Sequence, residues 1–193
     1  MPAQRKHREP IVDTAISLFR REGYRGIELN RIVRASGAPK GSVYHYFPKG
    51  KPAIAIAAIE ESVDQMVELM RAVARQSDGP EEFIKGYTSV IAARLRQSEF
   101  RDGCTLTTIM LELAPEDRDV MKTGLVYYSK LTALICELLS ERKYGEMEAM
   151  KIATLWITTV QGSYLQSKVY QSTEPLETAG DVLASTLPRP SLA

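Results

Sequence analysis

Between Glu28 and Lys51 the chain reads ELNRIVRASGAPKGSVYHYFPKGK, and its polar side chains suit holding a polyanion rather than making or breaking bonds. Lys40 and Gly41 offer a donor and a close approach of the backbone to base edges. Ser42 is small and carries a hydroxyl for a base or a phosphate. Tyr44, His45 and Tyr46 are three successive polar-tipped rings. Lys49 and Lys51 stand where a further helix begins, so that ammonium groups and helix N-terminal amides could hold one phosphate together. Catalytic patterns are missing by contrast. No pair of carboxylates, no Glu-x-x-His and no nucleophile–base pairing recurs, and His45 has no Cys, Asp or second His nearby to share a metal. No cofactor and no metal is expected. Cys104 and Cys136 lack a CxxC or Cys/His spacing and read as reduced, small hydrophobes.

The distribution of charge agrees. The net charge is only +1, but residues 1–51 hold eleven Lys/Arg against four acids, whereas residues 52–193 hold fourteen against twenty. A head of +7 on a body of −6 is the footprint of a polyanion-binding segment. With 44% apolar and 25% charged residues the composition is that of a soluble globular protein. No run of eighteen uncharged apolar residues and no secretory signal is present, so a cytoplasmic protein without membrane contact is expected.

The elements that must position these groups are helical, because sustained period-2 stretches with hairpin turns are absent. Residues 10–22 place Ile11, Ala15, Leu18 and Phe19 on one stripe, with Gly23 beyond the end. A short helix is predicted from Leu29 to Ala35, with Leu29, Ile32 and Val33 inward. Ser36-Gly37-Ala38-Pro39 breaks it, and a third helix over 39–46 ends before Pro48. Longer helices follow from Lys51 to about Gln76, from Pro80 to Ser98, over 104–113, from Glu116 to Lys143, over 146–171 and over 174–187. The tail around Pro188-Arg189-Pro190 is expected to fray. The fold class is thus all-α: a three-helix helix-turn-helix head over 1–50 and a larger helical bundle over 51–193. In a helix-turn-helix the second helix of the motif enters the major groove.

The run FRREGYRGIELNRIVRASGAPKGSVYHYFPKGKPAI resembles the N-terminal domain of the TetR family of bacterial regulators. The Phe-x-x-x-Gly-Tyr stretch, the Ser-Gly-Ala-Pro-Lys-Gly-Ser turn and the Tyr-x-x-Phe-Pro-x-Gly-Lys ending match in order and spacing. The SGAPKGS wording, Gly103-Cys104 before a helix and Ser-Thr-Glu-Pro-Leu at 172–176 look like the LmrA/YxaF-type branch. The resemblance implies an all-helical dimer with ligand binding in the larger domain. It also implies DNA contact by Lys40, Gly41, Ser42, Tyr44, His45, Tyr46 and Lys51, to which Arg31 and Lys49 are added. One departure stands out. Where the family usually caps the second helix with Thr or Ser, this chain has Ile27-Glu28. Ile cannot cap, whereas the Glu28 carboxylate can cap but repels phosphate, an effect that Arg31 is expected to offset.

The eighth helix is apolar nearly all round, with Ala153, Trp156, Ile157, Val160 and Tyr164 on one face and Ile152, Leu155, Gly162, Leu165 and Val169 on another. Two apolar faces need two covers, and a twin subunit is the simplest second one. The dimer interface is therefore expected at Trp156, Val160, Tyr164, Leu165, Leu176, Val182 and Leu183. An apolar effector site is expected at Met66, Met70, Tyr87, Cys104, Thr107, Met110, Tyr127 and Trp156, residue types that line adaptable pockets and equally fill plain cores.

These readings converge on a homodimeric, ligand-responsive regulator that binds a double-stranded DNA operator and is released by a small apolar or aromatic effector. Two alternatives remain at this stage: a DNA-binding helical dimer with no effector, and an enzyme built on a helical bundle.

Overall fold

The computed structural model describes residues 7–188. Arg5 and Lys6 of the basic amino end, and the tail from Arg189 on, lie outside the described residues. The described chain forms α1 (Arg8–Glu22), α2 (Leu29–Ser36), α3 (Lys40–Tyr46), α4 (Lys51–Ala74), α5 (Pro80–Gln97), α6 (Thr105–Leu113), α7 (Arg118–Ser140), α8 (Glu146–Tyr170) and α9 (Glu174–Thr186), with no strand among the described residues. The all-α class and the order of helices follow the sequence reading.

The boundaries differ where local chemistry outweighs apolar periodicity. α1 starts at Arg8, two residues before Pro10. Proline is tolerated there because first-turn amides have no intrahelical acceptor. α7 starts at Arg118 because Asp117 Oδ1 accepts the amides of Asp119 and Val120, both at 3.0 Å. It stops at Ser140, short of Lys143, where Lys143 takes a left-handed φ of 66° and turns the Tyr144 ring into the interior.

The chain divides into two compact units, one of residues 1–65 with 102–127, the other of residues 66–101 with 128–193. In the first, α1 packs on α2 and α3, with Ile11, Ala15 and Phe19 of α1, Ile32 of α2 and Val43 of α3 fully buried, and Ile54, Ala58 and Ile59 of α4 are fully buried as well. This core holds the two short helices in place, since neither is long enough to be stable alone.

In the second unit Ala92 and Leu95 of α5 pack with Leu176 of α9, and Val160 and Tyr164 of α8 close over them. α5 and α9 approach closely because residue 180 is glycine, where a Cβ would overlap the hydroxyl of buried Thr88. Arg96 Nη2 donates to Thr173 Oγ1 at 2.7 Å and fixes the start of α9 against the end of α5.

Candidate nucleic-acid interface

α3 presents one face to the core and the other outward, as its sequence period requires. Val43 is fully buried and Phe47, its C-cap, is nearly so. Lys40, Gly41, Tyr44 and His45 are exposed, with Tyr44 at 48%, while Ser42 and Tyr46 are half-buried. The rings of His45 and Tyr46 meet edge to face at 5.1 Å, which orders the carboxyl end of the helix. α2 and α3 are joined through Gly37, whose left-handed φ of 64° reverses the chain at no Cβ cost. Ser36 Oγ accepts the Ala38 amide at 3.4 Å and donates to the Val33 carbonyl at 3.1 Å, so the turn is bonded internally.

Three cations behave differently. Lys49 is exposed and within 3.5 Å of an Asp119 carboxylate oxygen, a weak surface pair that a phosphate can displace. Arg31, anticipated as a phosphate ligand, forms a two-pronged pair with Glu22, Nη2 to Oε1 at 2.6 Å and Nη1 to Oε2. The hydrogen bonds it donates to the Glu22 carboxylate raise its pKa. Its compensation for Glu28 therefore competes with a carboxylate already in place, and Glu28 makes no side-chain cap at α2.

Lys51 points into the turn between α1 and α2. Its Nζ donates to the carbonyls of Tyr24 (3.1 Å) and Ile27 (2.8 Å) and sits over the Tyr24 ring. Burial lowers its pKa, against the opposing pull of Glu112 and Glu28. Two of its three N–H donors are thus committed to the protein. Nothing in the local sequence announces this role, because the acceptors are main-chain oxygens 24 and 27 residues away.

The same turn is held from its other side. Glu112 of α6 accepts the amides of Tyr24 at 2.8 Å and Arg25 at 2.6 Å, and Arg25 Nη2 reaches back to the Glu112 carbonyl at 3.0 Å. Upstream, Arg20 Nε donates to Thr105 Oγ1 at 2.9 Å, the Gly103 amide donates to the Arg20 carbonyl at 2.8 Å, and Arg21 pairs with Asp102 at 2.9 Å. Sequence reasoning missed all of these contacts, since they join residues more than eighty positions apart.

The residues anticipated as an effector site fall in both units. Cys104, Thr107, Met110 and Tyr127 belong to the first, where Thr107 Oγ1 is buried without a hydrogen-bond partner. Met66, Met70, Tyr87 and Trp156 belong to the second. There Trp156 packs on Phe83 and Tyr87, with ring centroids at 5.2 and 5.1 Å, and its Nε1 is buried and unpartnered. The apolar slot beside it, lined by Pro80, Phe83, Ile84, Ile135, Leu138, Leu139, Ile152 and Trp156, encloses about 10 Å³, the lower limit for a single water. In the first unit a hollow of about 470 Å³ lies among Leu113, Glu116, Asp117, Arg118 and Asp119 and is open to solvent.

The anticipated interface residues also divide. Leu176, Leu183 and Trp156 are buried within the chain, Val160 and Tyr164 are half-buried against its core, and Leu165 and Val182 are exposed. The reason is phase: Trp156 and Leu165 are nine residues apart, half a turn out of register on a helix of 3.6 residues per turn. The outward face carries Leu155 (55% exposed), Leu165 (63%) and Val169 (70%), with Val182 (53%) on α9.

The arrangement can be set beside known proteins. Residues 11–58 match the domain described as bacterial regulatory proteins, tetR family, and residues 80–182 match the transcriptional regulator LmrA/YxaF-like C-terminal domain. The HTH-type transcriptional regulator YxaF of Bacillus subtilis is 30% identical over 176 residues, covering 91% of this chain and 92% of that one. This chain belongs to the LmrA/YxaF-like branch of the TetR family. As a TetR-family protein it is a DNA-binding transcriptional regulator and not an enzyme. The fold agrees: a TetR regulatory protein from Rhodobacter sphaeroides superposes with a TM-score of 0.83 at 19% identity, over 94% of this chain and 99% of that chain. The TetR-family regulator CifR, solved as a cysteine mutant with 26-bp double-strand operator DNA, superposes with a TM-score of 0.79 at 19% identity, over 93% and 96%. No helix of the described residues is long and apolar enough to cross a membrane.

Proposed function

We propose that this TetR-family regulator binds its operator as a two-fold homodimer through the outward face of α3 and is released by a small apolar or aromatic effector. The observation that carries the DNA contact is the division of α3: Val43 and Phe47 are sealed in the core while Lys40, Gly41, Tyr44 and His45 face outward together. Lys40 and Lys49 supply charge for phosphates, and Ser42, Tyr44, His45 and Tyr46 supply donors, acceptors and ring faces for base edges and sugar. Arg31 joins the set only by exchanging Glu22 for a phosphate. Lys51 contributes chiefly by ordering the turn ahead of α2, with one donor left for DNA. In functional terms residues 1–50 act as the head and residues 51–193 as the dimerising, effector-binding body.

Dimerisation through α8 and α9 would cover the exposed Leu155, Leu165, Val169 and Val182 and would set the two heads ~34–36 Å apart, one turn of DNA. An effector entering beside Trp156 has to widen that slot. The aromatic cluster and the unpartnered Nε1 favour a molecule with an apolar body and one hydrogen-bond acceptor. The coupling needed to shift operator affinity usefully is only about 1–3 kcal/mol.

Selection of binding sites from a random duplex pool by the purified full chain tests the reading. A palindromic site with half-sites about one helical turn apart is the expected outcome, and recovery of no preferred sequence would sink it.

A further inference from the structure

We propose that Glu112 is a positioning residue for operator recognition: its carboxylate, on α6, fixes the α1–α2 turn and with it the pose of the helix-turn-helix. The proposal rests on the reading of this head as an operator binder, and goes beyond it by placing a determinant of DNA affinity far from the DNA-facing residues in sequence.

The geometry points to Glu112 in four ways. Its two oxygens are used separately, Oε1 for the Tyr24 amide and Oε2 for the Arg25 amide, so that one side chain satisfies two consecutive main-chain donors. Residue 23 is glycine with φ 78°, and a Cβ there would overlap Glu112 Oε1, so the turn has the one residue type that lets the carboxylate in. The acceptors of the same turn, the Tyr24 and Ile27 carbonyls, are taken by Lys51. The backbone from Tyr24 to Ile27 is thereby gripped on its donors by one charge and on its acceptors by the opposite charge. Finally, the grip lies just upstream of the residue that opens α2, Leu29, and Glu28 makes no side-chain cap there. With no local cap, the entry angle of α2 depends on how the preceding turn is held.

Charge-assisted bonds are the strong class of protein hydrogen bonds, and here one holds the half-buried Tyr24 amide and the other the exposed Arg25 amide. A carboxylate is also the only side chain that presents two acceptor oxygens and no donor. Glu112→Gln is close to isosteric yet turns an amide NH₂ toward one of the two N–H groups. Packing survives this change, and the double acceptance does not.

The test compares the full-length protein with E112Q and with T105V, which loosens the other end of α6 by removing the acceptor of Arg20. Binding to the pool-selected operator and to a scrambled duplex is measured alongside amide hydrogen exchange at Tyr24 and Arg25. E112Q is expected to weaken operator binding about ten-fold or more, the size of one lost charge-assisted hydrogen bond. Scrambled-duplex binding and helix content are expected to stay unchanged, and exchange at both amides to accelerate. T105V is expected to leave both amides slow. Operator affinity and exchange in E112Q equal to the wild type would overturn the proposal, as would fast exchange of both amides in the wild type, a result that does not depend on how the variant folds. A wild-type protein that ignores every duplex would remove the operator reading alone, since the exchange arm still decides whether Glu112 holds the turn.

Discussion

The ammonium of Lys51 lies 4.1 Å from the centroid of the Tyr24 ring and donates to the carbonyl oxygen of the same residue, so a single cation holds Tyr24 by its ring and by its backbone. A lysine that opens α4 is in this way part of the turn that opens α2.

Lys51→Met and Lys40→Ala should therefore weaken DNA binding by different routes. Lys40→Ala removes an exposed charge, so the slope of log K against log salt should shallow by about 0.9 with stability unchanged. Lys51→Met removes two hydrogen bonds to carbonyls, and stability to urea should fall by about 1–2 kcal/mol, discounted for partial exposure, with little change in the salt slope. A slope that shallows equally in both would return Lys51 to the phosphate-binding set.

Tyr144 offers a test of alkaline behaviour. Its hydroxyl is buried without a partner, and burial, reinforced by Glu81 and Glu148, raises its pKa above the ordinary 10.0. A raised folded-state value means that stability is intact below pH 10 and is lost as pH climbs through the folded value, because the unfolded chain releases the proton first. Tyr144→Phe should flatten that alkaline decline. At neutral pH it should be neutral or stabilising by up to ~1 kcal/mol, since an unsatisfied polar group is removed. Urea melts at pH 7 and pH 10.5 measure both effects, and a clear loss at pH 7 would mean that the hydroxyl has a partner in solution.

Leu165→Glu combined with Val169→Glu should yield a monomer of normal helicity. Both side chains stand on the outward face of α8, 63% and 70% exposed, so within a single chain the charges cost only the ~0.2–0.5 kcal/mol of an i,i+4 like-charge pair. In a dimer the same charges would be buried unpaired, and each lost apolar contact alone removes about 1.5–3 kcal/mol. Sedimentation velocity at micromolar concentration reads the outcome, and an unaltered dimer would move the interface elsewhere.

Gly180→Val should destabilise the second unit by about 1–3 kcal/mol, the usual cost of overpacking, because the new Cβ would overlap the Thr88 hydroxyl and lie only 3.1 and 3.2 Å from Thr88 Cβ and Cγ2. A double change with Thr88→Ala, which removes both the hydroxyl and Cγ2, should recover part of the loss. Thermal melts followed by circular dichroism provide the measurement, and an unchanged midpoint would show that α5 and α9 separate freely there.

Much of this architecture is legible in the sequence because it follows from local rules. Gly37 and Pro39 punctuate α2 and α3, Val43 and Phe47 recur at the inward spacing, and the Pro80 and Gly145 boundaries are turn chemistry. What is not legible is pairwise and distant. Glu112 and Tyr24, Arg20 and Thr105, or Arg31 and Glu22 are each unremarkable alone, and no period or motif links them. The interface residues illustrate a further limit. Composition identifies α8 as apolar on two faces, yet only the packing of Val160 and Tyr164 onto Leu95 and Leu176 decides which face is covered by the chain itself.

Trp156 is the chain's one tryptophan, and its ring is wedged between Phe83 and Tyr87 in the second unit. Indole emission will consequently watch one half of the molecule only. On heating, loss of order around α1–α3 will pass without a spectral change in that channel, while the amide signal near 222 nm adds both halves together. A gap between the two optical midpoints would reveal which half lets go first, with no label attached.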